Sequence, residues 1–242
     1  SMKILHGLME LAGLPFIGIP KTIDNDVPLT EFAIGFHTAV GVATEALDRL
    51  QPTAASHQRV MILETMGRQA GHIALSAGIA GGADVILLPE MPYNIDFIAS
   101  KLEGIRKEEK RNHALIVCAE AAHPVGGKAA FIDYAGDMVY GGIGHQLGRE
   151  IGLATGADTR VTVLGHVQRG GPPSSFDRVL ASVFGVRAVD LLADGVSGRM
   201  VSWWDGRIRD VSLTDVVAQE KPVNLQGSRM RAARGLGICI GD

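Results

Sequence analysis

Five apolar, strand-like runs constrain the fold of this 242-residue chain more than any other feature. Residues 60–63 and 115–118 carry only apolar side chains, which is typical of strands covered on both faces of a sheet. Helix-length segments separate the runs, so the alternation predicts an α/β fold with a parallel sheet. The predicted strands are residues 15–19, 59–64, 84–88, 114–119 and 160–164.

The segments between these runs have helical length. From Phe36 to Leu50, apolar side chains recur every three or four residues, which predicts a helix with one buried face. A Trp-Trp-Asp-Gly-Arg stretch at residues 203–207 predicts a hairpin, and we expect a polar tail after Val216. The predicted helices are residues 3–11, 35–50, 71–80, 94–110, 142–154 and 175–193.

Charge and cysteine content exclude several classes of protein. The chain has 23 Lys and Arg against 26 Asp and Glu, which leaves a formal net charge of −3. This balance argues against a surface that coats nucleic acid or an anionic membrane, so any phosphate site must be local. Cys118 and Cys239 lie far apart in sequence, which argues against a disulfide framework and favours a reducing compartment. No apolar run approaches the roughly 18 residues of a membrane span. We therefore expect a cytoplasmic protein without nucleic-acid or membrane partners.

Polar clusters follow the predicted strands, at the positions where parallel α/β sheets bind their ligands. In the first cluster, residues 20–26, Lys21 and Thr22 precede the carboxylates Asp24 and Asp26. Unpaired charges are costly to bury, so this segment is not part of a core. It is either a ligand-binding loop or a polar turn.

Three further clusters follow the second, fourth and fifth runs. Gly67 and Arg68 stand at a strand-to-helix turn, whose backbone N–H groups can bind an anion, although Arg68 could equally be a surface ion-pair residue. Glu120 is either a site carboxylate or a cap for the next element. His166 and Arg169 precede a Gly-Gly-Pro-Pro turn, and a lone histidine is more often structural than catalytic.

These clusters together suit phosphate chemistry. Arg binds phosphate through its planar fork, Lys adds a point charge, and an Asp near a sugar hydroxyl can accept its proton. Arg59 opens a predicted strand whereas Arg68 stands past its end, so we expect the two to point to different places. The residues alone predict a site for a phosphorylated small molecule and give no more detail.

Several segments resemble the signature segments of the 6-phosphofructokinase family. They occur in the family's order with natural spacing, and the resemblance extends from about residue 1 to residue 202. The family implies a fold of two interleaved, doubly wound α/β lobes with mainly parallel sheets. The matching segments are 20–26 (Pro-Lys-Thr-Ile-Asp-Asn-Asp), 56–59 (Ser-His-Gln-Arg), 66–68 (Met-Gly-Arg), 164–171 (Leu-Gly-His-Val-Gln-Arg-Gly-Gly) and 176–178 (Phe-Asp-Arg).

The resemblance implies phosphoryl transfer to the 1-hydroxyl of fructose 6-phosphate in glycolysis. Asp24 would be the base that takes the hydroxyl proton. Thr22 and Asp26 would hold the sugar and the transferring phosphoryl group, and Arg68 would stabilise its developing charge.

The remaining binding residues also follow from the resemblance. His166 and Arg169 would bind the 6-phosphate together with Arg59 and Arg160, which in the family reach across from a neighbouring subunit. A homo-oligomer with shared sites is therefore expected. The other residues implied to bind the substrate are Ile23, Met66, Gly67, Glu120, Val167 and Gln168.

The phosphoryl donor is implied to be ATP or pyrophosphate with Mg²⁺. Lys21 and Ser1 would lie on the donor side, and no residue of the chain is predicted to bind the metal. The family's Gly-rich phosphate loop and Gly-Gly-Asp motif are not in this sequence, so we expect an incomplete donor-side lobe. The expected lobes are residues 1–27 with 167–200 on the donor side and 28–166 on the acceptor side, followed by a C-terminal extension, 201–242.

Two functions of different classes remain open. The chain is either a phosphofructokinase or a non-catalytic fragment that binds a sugar phosphate and lacks the donor half. A nucleotide-binding regulator without sugar chemistry would leave the placement of the Arg and His residues unexplained. Separate measurements of binding and product formation distinguish these hypotheses.

Overall fold

A computed structural model describes residues 2–242; Ser1 and the side chains of residues 5, 8–10, 12 and 134 lie outside the description. The helices are α1 (Met2–Ala12), α2 (Phe36–His57), α3 (His72–Ala80), α4 (Ile95–Lys107), α5 (Ile143–Thr155), α6 (Ser175–Ala193), α7 (Leu213–Val217) and α8 (Ser228–Gly235), with a 3₁₀ helix at Gly165–Arg169. The strands are β1 (Ile17–Gly18), β2 (Lys21–Thr22), β3 (Ile34–Gly35), β4 (Val60–Thr65), β5 (Val85–Leu87), β6 (Ala114–Ala119), β7 (Phe131–Tyr134), β8 (Asp137–Tyr140), β9 (Thr159–Val163), β10 (Arg199–Trp204) and β11 (Arg207–Ser212).

Contacts between residues divide the chain into two compact units that alternate in sequence. The first unit extends to Thr38 and includes Pro172–Lys221. The second unit consists of Ala39–Gly171 and Pro222–Asp242. Residues 201–242 are thus shared between the units rather than forming one segment. The donor-side and acceptor-side lobes, with their expected bounds, stay a prediction.

The second unit is built on a parallel sheet in the order β5-β6-β4-β9. Successive side chains of a strand point to opposite faces, so Ile62 and Leu63 enter different cores. Residues of α2, α3 and α8 pack on the Leu63 face, and residues of α4 and α5 pack on the Ile62 face. The predicted parallel sheet covered on both faces is confirmed.

The first unit has a smaller sheet in the order β1-β10-β11. β10 runs parallel to β1 and antiparallel to β11. The predicted hairpin is confirmed because Trp204 pairs with Arg207 across a two-residue turn. Both turn residues, Asp205 and Gly206, have positive φ, as the usual two-residue hairpin turn requires. Leu180 and Phe184 of α6 supply the core against this sheet.

The expectation of a polar tail after Val216 is wrong. Helix α8 buries Met230, and the chain after it buries Ile238 and Ile240 in the core of the second unit. Cys239 continues the sheet edge by an isolated parallel bridge to Val85. The buried side chains of this stretch are too few and too widely spaced to produce a helical or strand period. The sequence pattern therefore did not reveal that they are buried.

Two further differences concern element bounds. Helix α2 continues seven residues past the expected end at Leu50, and it contains Pro52. The hairpin of β7 and β8 was not predicted at all. Its turn residues Ala135 and Gly136 both have positive φ, and the Tyr-Ala-Gly-Asp stretch was the signal that could have revealed it.

Candidate functional site

The segment 20–26, called here the Asp24 loop, follows β1 in the first unit. Its first part pairs with β3, where Lys21 lies opposite Ile34 and Thr22 opposite Gly35. The Asp24 N–H donates to Thr22 Oγ1 at 3.1 Å, which tightens the chain at the end of β2. The loop is therefore an ordered extension of a small parallel sheet, not a free turn.

Asn25 braces the Asp24 loop with its side chain. The Asn25 backbone is left-handed, with φ 54°, a conformation that Asn adopts more readily than most residues. Its Nδ2 donates to the Glu31 carbonyl at 3.0 Å, and its Oδ1 accepts from the Ala33 N–H at 2.9 Å. These bonds close the chain from Asn25 to Ala33 into one ordered segment.

Exposure differs sharply among the predicted site residues of this loop. Asp24 is only 5% exposed, whereas Lys21 and Asp26 are exposed and Thr22 and Ile23 are half-buried. A buried carboxylate in an ordered loop has the fixed position that proton transfer requires.

Asp177 is an organising carboxylate to which sequence reasoning assigned no role. Its Oδ1 accepts from the Gly35 N–H at 2.9 Å, and its Oδ2 accepts from Thr38 N and Thr38 Oγ1 at 2.8 and 2.5 Å. Burial opposes the charge, but hydrogen bonds led by that from Thr38 outweigh it and lower the pKa of Asp177. Ser174, three residues earlier, caps α6 and was the signal of a helix start here.

In the second unit, the carboxyl ends of the parallel strands β6, β4 and β9 lie side by side. This end of the sheet is called here the sheet edge. The turn after β4, residues 66–68, is called here the Arg68 turn. Gly67 has φ 150°, and a Cβ on it would lie 2.6 Å from the Ala70 carbonyl oxygen, so only glycine fits. Arg68 has φ 53°, in the left-handed region, and its side chain is exposed at this edge.

Side chains hold all three backbone N–H groups of the Arg68 turn. Glu120 Oε1 accepts from Gly67 N at 3.1 Å and from Arg68 N at 2.7 Å. Gln168 Oε1 accepts from Met66 N at 2.9 Å. An external anion could take these amides only by displacing Glu120 or Gln168, so anion binding at this edge falls to side chains.

The 3₁₀ helix after β9 presents the remaining predicted residues. His166, Val167 and Arg169 are exposed, whereas Gln168 is 1% exposed. Glu120 is also buried, at 8% exposed. The sheet edge therefore offers the guanidinium groups of Arg68 and Arg169 and the imidazole of His166 to solvent.

Arg59 and Arg160 lie at the other end of the same strands, by the amino ends of β4 and β9. Arg59 precedes β4, and its Nε donates to Asp158 Oδ2 at 2.7 Å. Arg160 near the start of β9 donates to Asp158 Oδ1. The hydrogen bond from Arg59, with that from Arg160, lowers the pKa of Asp158. The six residues of β4 span roughly 20 Å, so Arg59 is remote from the Arg68 turn of its own chain.

The comparisons with known proteins identify the family. The phosphofructokinase family model matches residues 1–192. This chain belongs to the phosphofructokinase family. The whole chain is 51% identical to ATP-dependent 6-phosphofructokinase 1 of Synechocystis and 48% identical to ATP-dependent 6-phosphofructokinase 2 of Nostoc, and it covers 67% and 69% of those proteins.

Solved phosphofructokinases share the fold. The pyrophosphate-dependent phosphofructokinase of Marinobacter aquaeolei matches the whole chain with a TM-score of 0.77 and 25% identity, and the chain covers 65% of it. The chain thus spans about two thirds of the length of these phosphofructokinases. The predicted family and the phosphofructokinase-like fold are confirmed.

For this phosphofructokinase family member, the predicted residue roles stay predictions. Of the two predicted donor-side residues, Lys21 is exposed, and Ser1 lies outside the described residues. Among the predicted site residues that the structure describes, only Arg59 and Arg160 lie by the amino ends of strands of the second unit's sheet.

Glu64 is a second structural carboxylate that sequence reasoning missed. It is 2% exposed on β4, and its Oε1 and Oε2 accept from Gly142 N at 3.2 Å and Gly144 N at 2.8 Å. The charge lies at the N-terminus of α5, where a helix stabilises an anion. An acid inside an apolar run, with a Gly-Gly pair before a later helix, was the available signal.

Proposed function

We propose that this phosphofructokinase family member transfers a phosphoryl group from ATP to the 1-hydroxyl of fructose 6-phosphate, giving fructose 1,6-bisphosphate in glycolysis. The observation that carries the proposal is that Arg68, His166 and Arg169 are all exposed on two segments that the Met66–Gln168 hydrogen bond joins, in a protein whose net charge is −3. Such a local cationic cluster suits a phosphorylated small molecule.

The proposed reaction moves one proton, forms one bond and breaks one bond. The Asp24 carboxylate takes the proton of the 1-hydroxyl, the sugar oxygen bonds to the γ-phosphorus, and the bond from that phosphorus to the leaving oxygen of ADP breaks. Thr22 and Asp26 hold the sugar and the transferring group. The Arg68 guanidinium stabilises the charge that develops on the phosphoryl oxygens.

Binding of the sugar phosphate falls to the exposed residues. His166 and Arg169 hold the 6-phosphate, and the Arg59 and Arg160 of a second copy of the chain complete that site. A homo-oligomer is part of this proposal, and the location of Arg59 and Arg160 on the far edge of their own sheet supports it. The residues proposed to line the sugar are Ile23, Met66, Gly67, Glu120 and Val167. Gln168, also expected there, is 1% exposed and accepts from the Met66 N–H instead.

ATP is the proposed donor because relatives named ATP-dependent are 46–51% identical, whereas the Marinobacter pyrophosphate-dependent enzyme is 25% identical. Lys21 would lie on the donor side, and with pyrophosphate as donor its charge would assist the departing phosphate. Among the described residues no group of three His, Cys, Asp or Glu could hold a metal ion. Mg²⁺ usually binds through one or two carboxylates together with substrate phosphates, so it enters the proposal with ATP, and no residue is assigned to it.

The proposed location is the cytoplasm. Both cysteines are free thiols, as expected in a reducing compartment. Among residues 2–242, no helix has the length and apolar character to cross a bilayer.

The test measures binding and product formation separately. Calorimetry reports fructose 6-phosphate affinity, and a coupled assay reports fructose 1,6-bisphosphate with ATP or with pyrophosphate. The proposal expects binding, turnover with ATP that is low because the donor-side lobe is expected to be incomplete, and at least about tenfold weaker binding in Arg169→Ala but not in the surface control Arg207→Ala. Binding without turnover would favour the non-catalytic fragment. Absence of binding would contradict both.

A further inference from the structure

The Arg68 turn is held from both sides of the strand that precedes it. β6 and β9 flank β4, and each sends one side chain to the turn. Glu120, after β6, accepts from two of its N–H groups, and Gln168, after β9, accepts from the third. Side chains from two remote parts of the sequence therefore fix the position of three consecutive residues.

Gln168 differs from its neighbours in the 3₁₀ helix. Val167 is 72% exposed, whereas Gln168 is 1% exposed and directs its carbonyl oxygen to the Met66 N–H. A side chain with this burial is not placed to contact a ligand from solvent. Its contact with the site runs through the backbone of Met66.

Stability alone does not account for a glutamine at this position. Gln168 Nε2 is buried, and no described residue accepts a hydrogen bond from it. Leaving a buried N–H group unpaired costs more than one neutral hydrogen bond returns. Leucine or methionine would fill a similar volume without that cost, so the benefit of the carboxamide lies in the one bond it makes, to the Arg68 turn.

That bond bears on a strained residue. Arg68 is not glycine, yet it has φ 53°, a conformation that persists only where surrounding contacts impose it. We propose that Gln168 is a positioning residue, whose carbonyl oxygen holds the Met66 N–H and so keeps the Arg68 guanidinium in place. The consequence for catalysis rests on the proposed function, in which that guanidinium stabilises the phosphoryl group in transfer.

Three variants separate positioning from packing. Gln168→Leu and Gln168→Met keep the volume and remove the acceptor, whereas Gln168→Glu keeps an acceptor oxygen and removes the amide N–H groups. The matched controls are Gln51→Leu and Gln51→Glu, at an exposed position of α2. Each protein is measured for amide hydrogen exchange at residues 66–68, for kcat and KM with fructose 6-phosphate, and for melting temperature.

We expect amide exchange at Met66 to rise at least about tenfold in Gln168→Leu and Gln168→Met, and to stay within about threefold of wild type in Gln168→Glu. In the same two variants, kcat should fall at least about tenfold while KM changes less than about threefold. Wild-type exchange in Gln168→Leu would overturn the proposal. The proposal would also be overturned if kcat fell equally in all three variants and the melting temperature did the same.

Failure of the proposed function remains distinguishable. A wild-type chain without turnover would contradict the proposed function, and the exchange arm would then decide the positioning role by itself. Faster exchange in the Leu and Met variants would uphold it, and unchanged exchange would overturn it.

Discussion

The Asp24 loop of the first unit and the Arg68 turn of the second unit are held in opposite ways. Asn25 braces the Asp24 loop from within, by bonds to residues six and eight positions away. The Arg68 turn depends on Glu120 and Gln168, which lie 52 and 102 positions from the amides of Arg68 and Met66. The Asp24 loop is held by a residue of its own segment, whereas the Arg68 turn is held by residues that only the assembled sheet brings near it.

The difference has a physical consequence. Local hydrogen bonds form as soon as their short segment closes, because the entropy of loop closure is small for few residues. Remote bonds form only after β6, β4 and β9 have paired. The shape of the Asp24 loop therefore depends on a few neighbouring residues, whereas the shape of the Arg68 turn depends on the fold of its whole unit.

The largest expected effect separates the chemistry of the Asp24 loop from its support. Asp24→Asn keeps the size of the side chain and removes the base. The rate of fructose 1,6-bisphosphate formation should fall at least about 100-fold, with fructose 6-phosphate affinity within about threefold of wild type. Asp48→Asn, on the exposed face of α2, is the control. Retention of the rate in Asp24→Asn would show that Asp24 is not the base.

Removing the internal brace should produce the next largest effect. Asn25→Ala loses both side-chain bonds and puts at φ 54° a residue that adopts the left-handed region less readily than Asn, so the free energy of unfolding should fall by about 2–4 kcal/mol. Both tryptophans, Trp203 and Trp204, lie in the first unit, so their fluorescence in urea reports this loss.

The matched variant Asn25→Gly retains the freedom to adopt φ 54° and loses only the bonds. It should therefore lie between wild type and Asn25→Ala in the same urea titration. If all three proteins unfold at the same urea concentration, the loop is not braced by Asn25.

Removing the remote brace should have a smaller effect on stability. Glu120→Ala leaves the N–H groups of Gly67 and Arg68 without their acceptor, which should lower the free energy of unfolding by about 1–3 kcal/mol. Glu120→Gln keeps an acceptor oxygen and should lose less than half as much. Circular dichroism in urea measures both. Equal losses would mean that the carboxylate charge, not the hydrogen bonds, holds the turn.

The smallest effect concerns acid. The pKa of Asp177 is lowered in the folded protein, so its contribution to stability is complete above the unfolded value of about 3.9 and disappears as pH falls through the folded pKa. Melting of wild type and Asp177→Asn, followed by tryptophan fluorescence, should differ at pH 7, and the difference should shrink as the pH falls below about 3.9. A difference that is constant across this range would remove Asp177 from the acid response.

The fold was largely predictable because burial leaves a pattern in the sequence. The strand expected at 114–119 and the helix expected at 175–193 have the observed bounds, Ala114–Ala119 and Ser175–Ala193. Both are long segments with strong signals. The hairpin of β7 and β8 was missed because its strands have four residues each, and α8 was missed because only two of its side chains, Met230 and Ala233, are buried.

The site was predictable in its residues more than in its support. Residue type and position after a strand drew attention to Asp24 and Arg68, but no local pattern tells that Gln168 is buried while Val167 is exposed. Whether Glu120 binds a ligand or caps a backbone also could not be decided from one residue. The structure gives Glu120 two backbone partners, which only the pairing of β4 with β6 creates.

Hydrogen exchange in the presence of fructose 6-phosphate tests whether Asp24 and Arg68 act on one phosphosugar. Increasing concentrations of the sugar phosphate are added to the wild-type chain, and exchange is followed in peptides covering residues 20–26, 66–68 and 165–169. We predict protection in all three segments with one apparent dissociation constant, and no protection with fructose. Protection confined to one segment, or different constants for the Asp24 loop and the Arg68 turn, would contradict this prediction.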